Sequence, residues 1–106
     1  MHEILTKEDW QAVLGASHEQ TVAIFKHSNA CSVSADAHAR VVKFIAETSD
    51  HVPVYLVTVQ VSREVSDAIA EHLKLKHESP QLIVIDKGIV LYHASHQDID
   101  PIIALS

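Results

Sequence analysis

The amino-acid sequence predicts an α/β fold in which a central four-stranded mixed sheet is flanked by helices, and three features of the pattern point to it. TVAIF (21–25) and VPVYLVTVQV (52–61) are apolar, β-branched runs without alternation, the pattern of strands covered on both faces. Residues 34–48 and 62–73, between and after them, carry apolar residues at helical spacing. QLIVI (81–85) and IVLYHA (89–94) flank DKG, a turn signature between two antiparallel strands.

The elements follow in order. TKEDWQAVLG (6–15) reads as a short helix with Thr6 as N-cap, Asp9 at the third helical position and Gly15 as its stop, which puts Trp10, Val13 and Leu14 on one face. The strand 21–25 comes next. From Ser34 to about Thr48, Ala37, Val41, Val42, Phe44 and Ile45 form an apolar stripe, with Asp36, Arg40, Lys43 and Glu47 opposite. A crossover of this length normally joins two parallel strands with right-handed sense, the second being 52–61. SREVSDAIAEHL is a further helix with Ser62 as cap and Val65, Ile69 and Leu73 in one stripe. The hairpin follows Pro80, and Asp100 as N-cap with Pro101 as first helical residue starts a short terminal helix. A start at Ser95 would put Pro101 inside that helix and remove a hydrogen bond. A βαβ half followed by a hairpin and a last helix is the thioredoxin-like arrangement, which hosts many roles.

Composition narrows the function classes. A chain of 106 residues suits a single domain over 1–106 with one hydrophobic core, and 47% hydrophobic residues suit packing rather than disorder. A formal net charge of -6 argues against a nucleic-acid partner, which needs a basic face. MHEILTKEDW has neither the positive start nor the apolar core of a signal peptide, and no apolar run nears the roughly 20 residues that span a bilayer. The expectation is a cytoplasmic protein with no membrane partner. Nine histidines are spread along the chain, the closest pairs being His72 with His77 and His93 with His96, and they read as surface residues rather than as a metal site.

The stretch FKHSNACSVSADAHARV (25–41) holds the only cysteine, Cys31, where a strand gives way to a helix. One cysteine forms no internal disulfide and no four-cysteine zinc site. The first turn of a helix has unpaired N–H groups and a partial positive charge, both of which favour an anion such as a thiolate. Lys26 and His27 are placed to add positive charge. Ser34 stands where a dithiol redox motif carries its second cysteine, so a mixed disulfide at Cys31 would be released by an external thiol. The Ser34 hydroxyl is a donor for the sulfur. Position alone equally fits an inert, buried cysteine, although the polar loop HSNACSVS favours partial exposure.

FKHSNACSVS, HESPQLIVIDKG and HASHQDI, in this order and spacing, resemble the monothiol bacilliredoxins of the YtxJ type, a thioredoxin-like family that works with the low-molecular-weight thiol bacillithiol. The resemblance runs from about Thr6 to the C-terminus and includes VSREVSDAIAEHLKLKHESPQ as the family's second helix and following loop. It implies that Cys31 is the nucleophile, that Ser34 replaces a resolving cysteine, and that Pro80 is a cis proline facing the cysteine. Ser79 would then pair through its backbone with an extended thiol ligand; without the resemblance Pro80 reads as an ordinary strand-opening proline. The sequence departs from the family with Ser32 where a proline usually follows the cysteine and Ala30 where threonine is common. Related glutaredoxin-like proteins hold a thiol cofactor's carboxylate with backbone amides after the last strand, which makes Ser95 and His96 ligand contacts or simply a chain turn. Arg63 is a carboxylate partner or a solvated surface residue.

The implied function is a monothiol thiol-disulfide oxidoreductase that removes bacillithiol or a similar small thiol from modified proteins. Its partners are those proteins, the small thiol, and a partner redoxin or reductase, with no bound cofactor and no metal. The alternatives are a non-catalytic redox-sensing or binding module, and an iron–sulfur carrier of the monothiol glutaredoxin kind. CSVS lacks the glycine and phenylalanine of that carrier's Cys-Gly-Phe-Ser site.

Overall fold

The computed structural model describes every residue from Met1 to Ser106. Its strands are β1 (His2–Glu3), β2 (Val22–His27), β3 (Val54–Thr58), β4 (Gln81–Asp86) and β5 (Ile89–Ser95). Its helices are α1 (Lys7–Ser17), α2 (Ser32–Glu47), α3 (Arg63–Leu73) and α4 (Pro101–Leu105), with a 3-10 turn at His96–Asp98. The four expected strands are all present, and a fifth, the two-residue β1, adds to one edge in the order β1-β3-β2-β4-β5. β1 was not foreseen because HE carries no strand pattern; it is held by pairing with Tyr55 and Leu56 and by Ile4 N–H donating to the Leu56 carbonyl at 2.9 Å.

β3 runs parallel to β2, and β4 antiparallel to it. β3 is shorter than the apolar run 52–61 because Pro53 has no N–H for the ladder; its carbonyl accepts from Ala23. At the far end Val61 and Ser62 both fold back onto the Thr58 carbonyl. β2, in contrast, runs two residues beyond Phe25 to include Lys26 and His27.

Strand alternation divides the core in two. Val22, Ile24, Val57, Ile83 and Ile85 face Trp10 and Val13 of α1 and Val65 and Ile69 of α3. Ala23, Phe25, Val54, Leu82 and Val84 face Ala37 and Val41 of α2, with Ile99, Ala104 and Leu105 closing that side. Both layers exclude water from the sheet, which is the main favourable term in folding. Val42, expected in the α2 stripe, points to solvent at 43% exposure.

The helix ends mostly follow local chemistry. Thr6 and Asp9 form a reciprocal capping box at α1. Gly15 does not stop α1, which runs on to Ser17. Ser17 is buried and anchors the hairpin turn, its carbonyl accepting from Lys87 N–H at 2.8 Å and its Oγ from Gly88 N–H at 3.0 Å. Lys87 and Gly88 both have positive φ, as a two-residue type I′ turn requires. Asp100 caps α4 by accepting from Ile102 N–H, with Pro101 at its start. Ser62 precedes α3 but does not cap it through its side chain; its hydroxyl is 3.4 Å from the Ile4 carbonyl.

Candidate active site

The parallel strands β2 and β3 both end where a helix begins, at His27 and Thr58, so the starts of α2 and α3 lie at one edge of the sheet. β4 enters from that same edge, Gln81 pairing with Lys26 on one side and with Ser95 of β5 on the other. The topology therefore gathers His27, Cys31, Ser34, Arg63, Ser79, Pro80, Ser95 and His96 at one end of the molecule.

Cys31 is the N-cap residue of α2, half-buried, with extended φ and ψ of -127° and 128°. Its carbonyl accepts the first helical bond from Ala35 N–H at 3.0 Å, and its side chain caps nothing. The amides of the first turn precede that bond and are free to face an anion at the helix start. The loop that delivers the sulfur is braced by Gln60, which follows β3. Its Oε1 accepts from Asn29 N–H at 3.1 Å, and its Nε2 donates to Ser28 Oγ at 2.6 Å.

Ser34 is fully buried, and its oxygen is engaged away from the sulfur. Ser28 N–H donates to Ser34 Oγ at 2.8 Å, and His27 Nδ1 lies 2.8 Å from the same atom. Burial, then the neighbouring His38, hold the His27 imidazole below its ordinary pKa, partly offset by the Ser34 contact. With the ring neutral and protonated at Nε2, the Ser34 hydroxyl donates to Nδ1. The expected donation from Ser34 to Cys31 is absent; the serine instead ties the end of β2 to the first turn of α2. A neutral His27 likewise brings no positive charge to Cys31, and it lies on β2 itself rather than in the loop.

Lys26 departs further from expectation. Strand alternation sends its side chain to the α1–α3 face, opposite His27, where Nζ donates to the Ser66 carbonyl at 2.9 Å and meets His77 Nδ1 at 3.2 Å. It is fully buried, and desolvation lowers its pKa to about 8, against an opposing pull from Asp67.

The Ser79–Pro80 peptide is cis, and Pro80 is buried at the start of β4, one residue before the pair Gln81–Lys26. The Ser79 Oγ is buried without a hydrogen-bond partner. The Pro80 carbonyl accepts from His96 N–H at 3.0 Å, so that amide, expected to be open to a ligand carboxylate, is already occupied. His96 adopts a left-handed φ of 56°, and its ring lies 3.7 Å from Glu78, while Ser95 continues the β5 ladder. Arg63 is exposed without an ion pair and lines a hollow of about 520 Å³ shared with Leu5, Thr6, Lys7 and Glu8.

Four residues of this region were not singled out from the sequence: His38, Gln60, Ser66 and His77. His38 packs at a tilt against His27 with a ring-centroid distance of 4.7 Å, so the two histidines that meet are eleven apart in sequence and belong to neither pair close in the chain. A usable signal was present only for the Lys26 cluster. Val22, Ile24 and Lys26 share one parity in a buried strand, which makes the lysine inward-facing and in need of partners.

The chain is similar in fold to a solved structure described as a proposed oxidoreductase with a thioredoxin fold, at 31% identity and a TM-score of 0.81, covering 93% of this chain and 85% of that one. The thioredoxin of Fasciola hepatica matches at 16% identity and a TM-score of 0.72 over 91% of this chain and 86% of its own. Thioredoxin f2 of Chlamydomonas reinhardtii matches at 16% and 0.72 over 98% and 91%. At that identity these two speak for the fold alone. Residues 2–102 match the family described as monothiol bacilliredoxin BrxC, whose chemistry is single-cysteine thiol-disulfide exchange. With one cysteine at the head of α2 in a thioredoxin-like fold, the chain belongs to the monothiol bacilliredoxins and is a thiol-disulfide oxidoreductase.

Proposed function

We propose that the protein removes bacillithiol, or a similar low-molecular-weight thiol, from mixed disulfides on protein cysteines, with Cys31 as the nucleophile. The observation that supports this most is the placement of the sole thiol, half-exposed at the N-terminus of α2, with a buried serine three residues on. The Cys31 thiolate attacks the small-thiol sulfur of the mixed disulfide. A Cys31–small-thiol disulfide forms, the old S–S bond breaks, and the protein thiolate leaves and takes up a proton. Ser34 offers no second sulfur, so a second thiol molecule or a partner redoxin attacks the adduct and returns Cys31 to its reduced state. A lone unpaired thiol suits a reducing compartment such as the cytoplasm.

In this reading Pro80 and Ser79 border the sulfur's approach, and the open backbone at Ser79 lines the incoming disulfide as an added strand would. Ser34 acts through the loop it fastens rather than on the sulfur. Ser95 and the His96 ring remain near the ligand's path, and Arg63 is the furthest of the set from a demonstrated partner.

The test is mass spectrometry of the wild type and Cys31→Ala after incubation with a bacillithiol-modified model protein. Release of the free model thiol, together with a bacillithiol mass on Cys31 and neither event in the variant, supports the reading. A model protein that stays modified while Cys31 stays free overturns it and favours a redox-sensing or binding module.

A further inference from the structure

β2 is the middle strand of the sheet and is apolar from Val22 to Phe25, yet its last inward residue on the α1–α3 face is a lysine with no exposed surface. A buried ammonium is costly unless its protons find partners. No carboxylate lies within ion-pair distance; the partners are the Ser66 carbonyl of α3 and His77 Nδ1 of the loop that follows α3. Gln81, the direct cross-strand neighbour of Lys26, reaches the same loop, its Nε2 donating to the Lys76 carbonyl at 3.1 Å. Two buried side chains on adjacent strands thus hold residues 76 and 77, a few positions ahead of Pro80.

We propose that Lys26 is a positioning residue for thiol exchange: through His77 it anchors the segment that carries Ser79 and Pro80, and the anchor holds only while His77 Nδ1 is an unprotonated acceptor. The proposal rests on Cys31 being the nucleophile. An ammonium has donors and no lone pair, so its contact with Nδ1 requires the imidazole to be neutral with its proton on Nε2. The Ser66 hydroxyl, 3.2 Å from the same nitrogen, is compatible with either tautomer, so the demand comes from Lys26. Protonating His77 removes the acceptor and sets two cations against each other.

The surroundings favour the neutral ring. Lys26 faces His77 from the loop and Asp67 from α3; His77 faces Lys26 from β2, Arg63 and Asp67 from α3, and Glu78 from its own loop. Burial, then Lys26 and Arg63, hold His77 below the usual histidine pKa, against the opposing pull of Asp67 and Glu78. Acidification through the His77 pKa therefore releases the segment.

The experiment follows the His77 ring nitrogens by NMR and measures transfer from bacillithiol-modified and glutathione-modified proteins. In the wild type His77 is the Nε2–H tautomer at pH 7.5. In Lys26→Met its titration midpoint rises, KM for transfer rises about tenfold with kcat within about twofold, and Lys26→Arg, also a donor-only cation, recovers most of the loss. His77→Gln supplies an acceptor that does not titrate. Its transfer rate at pH 5.5, relative to its own rate at pH 7.5, exceeds the corresponding wild-type ratio by about threefold or more, a comparison in which Cys31 protonation cancels. A His77 midpoint unmoved by Lys26→Met, or a wild-type acid limb retained in His77→Gln, overturns the anchor. If the wild type transfers thiol from neither protein, the nucleophile reading fails separately, and a midpoint shift in Lys26→Met still supports the contact.

Discussion

Lys26 and His27 are consecutive residues at the end of β2, and they solve the same problem on opposite faces of the sheet. On each face the apolar layer stops one residue short of the active end, and a polar side chain takes the next inward place. Lys26 is fully buried and keeps its protons occupied with a carbonyl and an imidazole. His27 is half-buried, and its ring clusters with those of Phe25 and His38 while Nδ1 meets Ser34. One contact fastens the loop that carries Pro80, and the other fastens the loop that carries Cys31. The two halves of the site are thus tied to different core layers through neighbouring residues of one strand.

The strongest way to break this arrangement is to remove its chemistry. Cys31→Ala abolishes adduct formation, because no other thiol exists in the chain, and leaves the thermal midpoint within about 2 °C of wild type, as measured by circular dichroism. Next in size is the core beneath His27. Phe25→Ala costs about 3–5 kcal/mol in urea unfolding, since a fully buried aromatic leaves a cavity between β2 and α2. Ser34→Ala is smaller, about 1–3 kcal/mol, because it deprives the Ser28 amide and His27 Nδ1 of a shared partner. Thiol transfer by Ser34→Ala falls with the order of the Cys31 loop, which amide exchange at Ser28 reports.

Acid sharpens the comparison without mutation. His27 and His77 both have folded-state pKa values below that of the unfolded chain, so below about pH 6.5 the unfolded state takes up protons first. Stability is intact above that pH and declines as pH falls toward the folded-state values. Urea midpoints between pH 5 and 7.5 should show a shallower decline in His27→Gln and in His77→Gln. The smallest effect is the most telling one. Lys26 shows the same sign in a higher pH window: its depressed pKa of about 8 means that the cost of burying its charge is full below pH 8 and is relieved as pH rises toward 10.5. Lys26→Met therefore leaves stability unchanged or raises it by about 1 kcal/mol or less, a few degrees in Tm, even as it impairs exchange. A stabilised but slower enzyme would separate the role of the α3-face contact from that of Ser34, whose loss lowers both.

The fold was legible in the sequence because its signals are local. Two β-branched runs, the amphipathic stripe of α2, the Lys87–Gly88 turn, the Thr6–Asp9 box and the Asp100–Pro101 start each act within a few residues, and each corresponds to an observed element or cap, with β2 and β3 shifted at their ends. The errors fall where neighbours outside the segment decide: Gly15 stays helical because α1 must deliver Ser17 to the hairpin turn, and β1 exists only because Tyr55 and Leu56 are there to pair with it.

Of the site, the sequence by itself determined the chemistry: one thiol at a strand-to-helix junction, a serine in place of a second sulfur, and no means of closing an internal disulfide. Only the tertiary structure decided where the polar groups around that thiol spend their hydrogen bonds. Ser34 turned to His27 and Ser28, His96 gave its amide to Pro80, and Lys26 passed under the sheet to His77. The reason is geometric. Residue type and spacing state what a side chain can donate or accept, but a residue fifty positions away becomes a partner only after the strands have set which face each side chain leaves from.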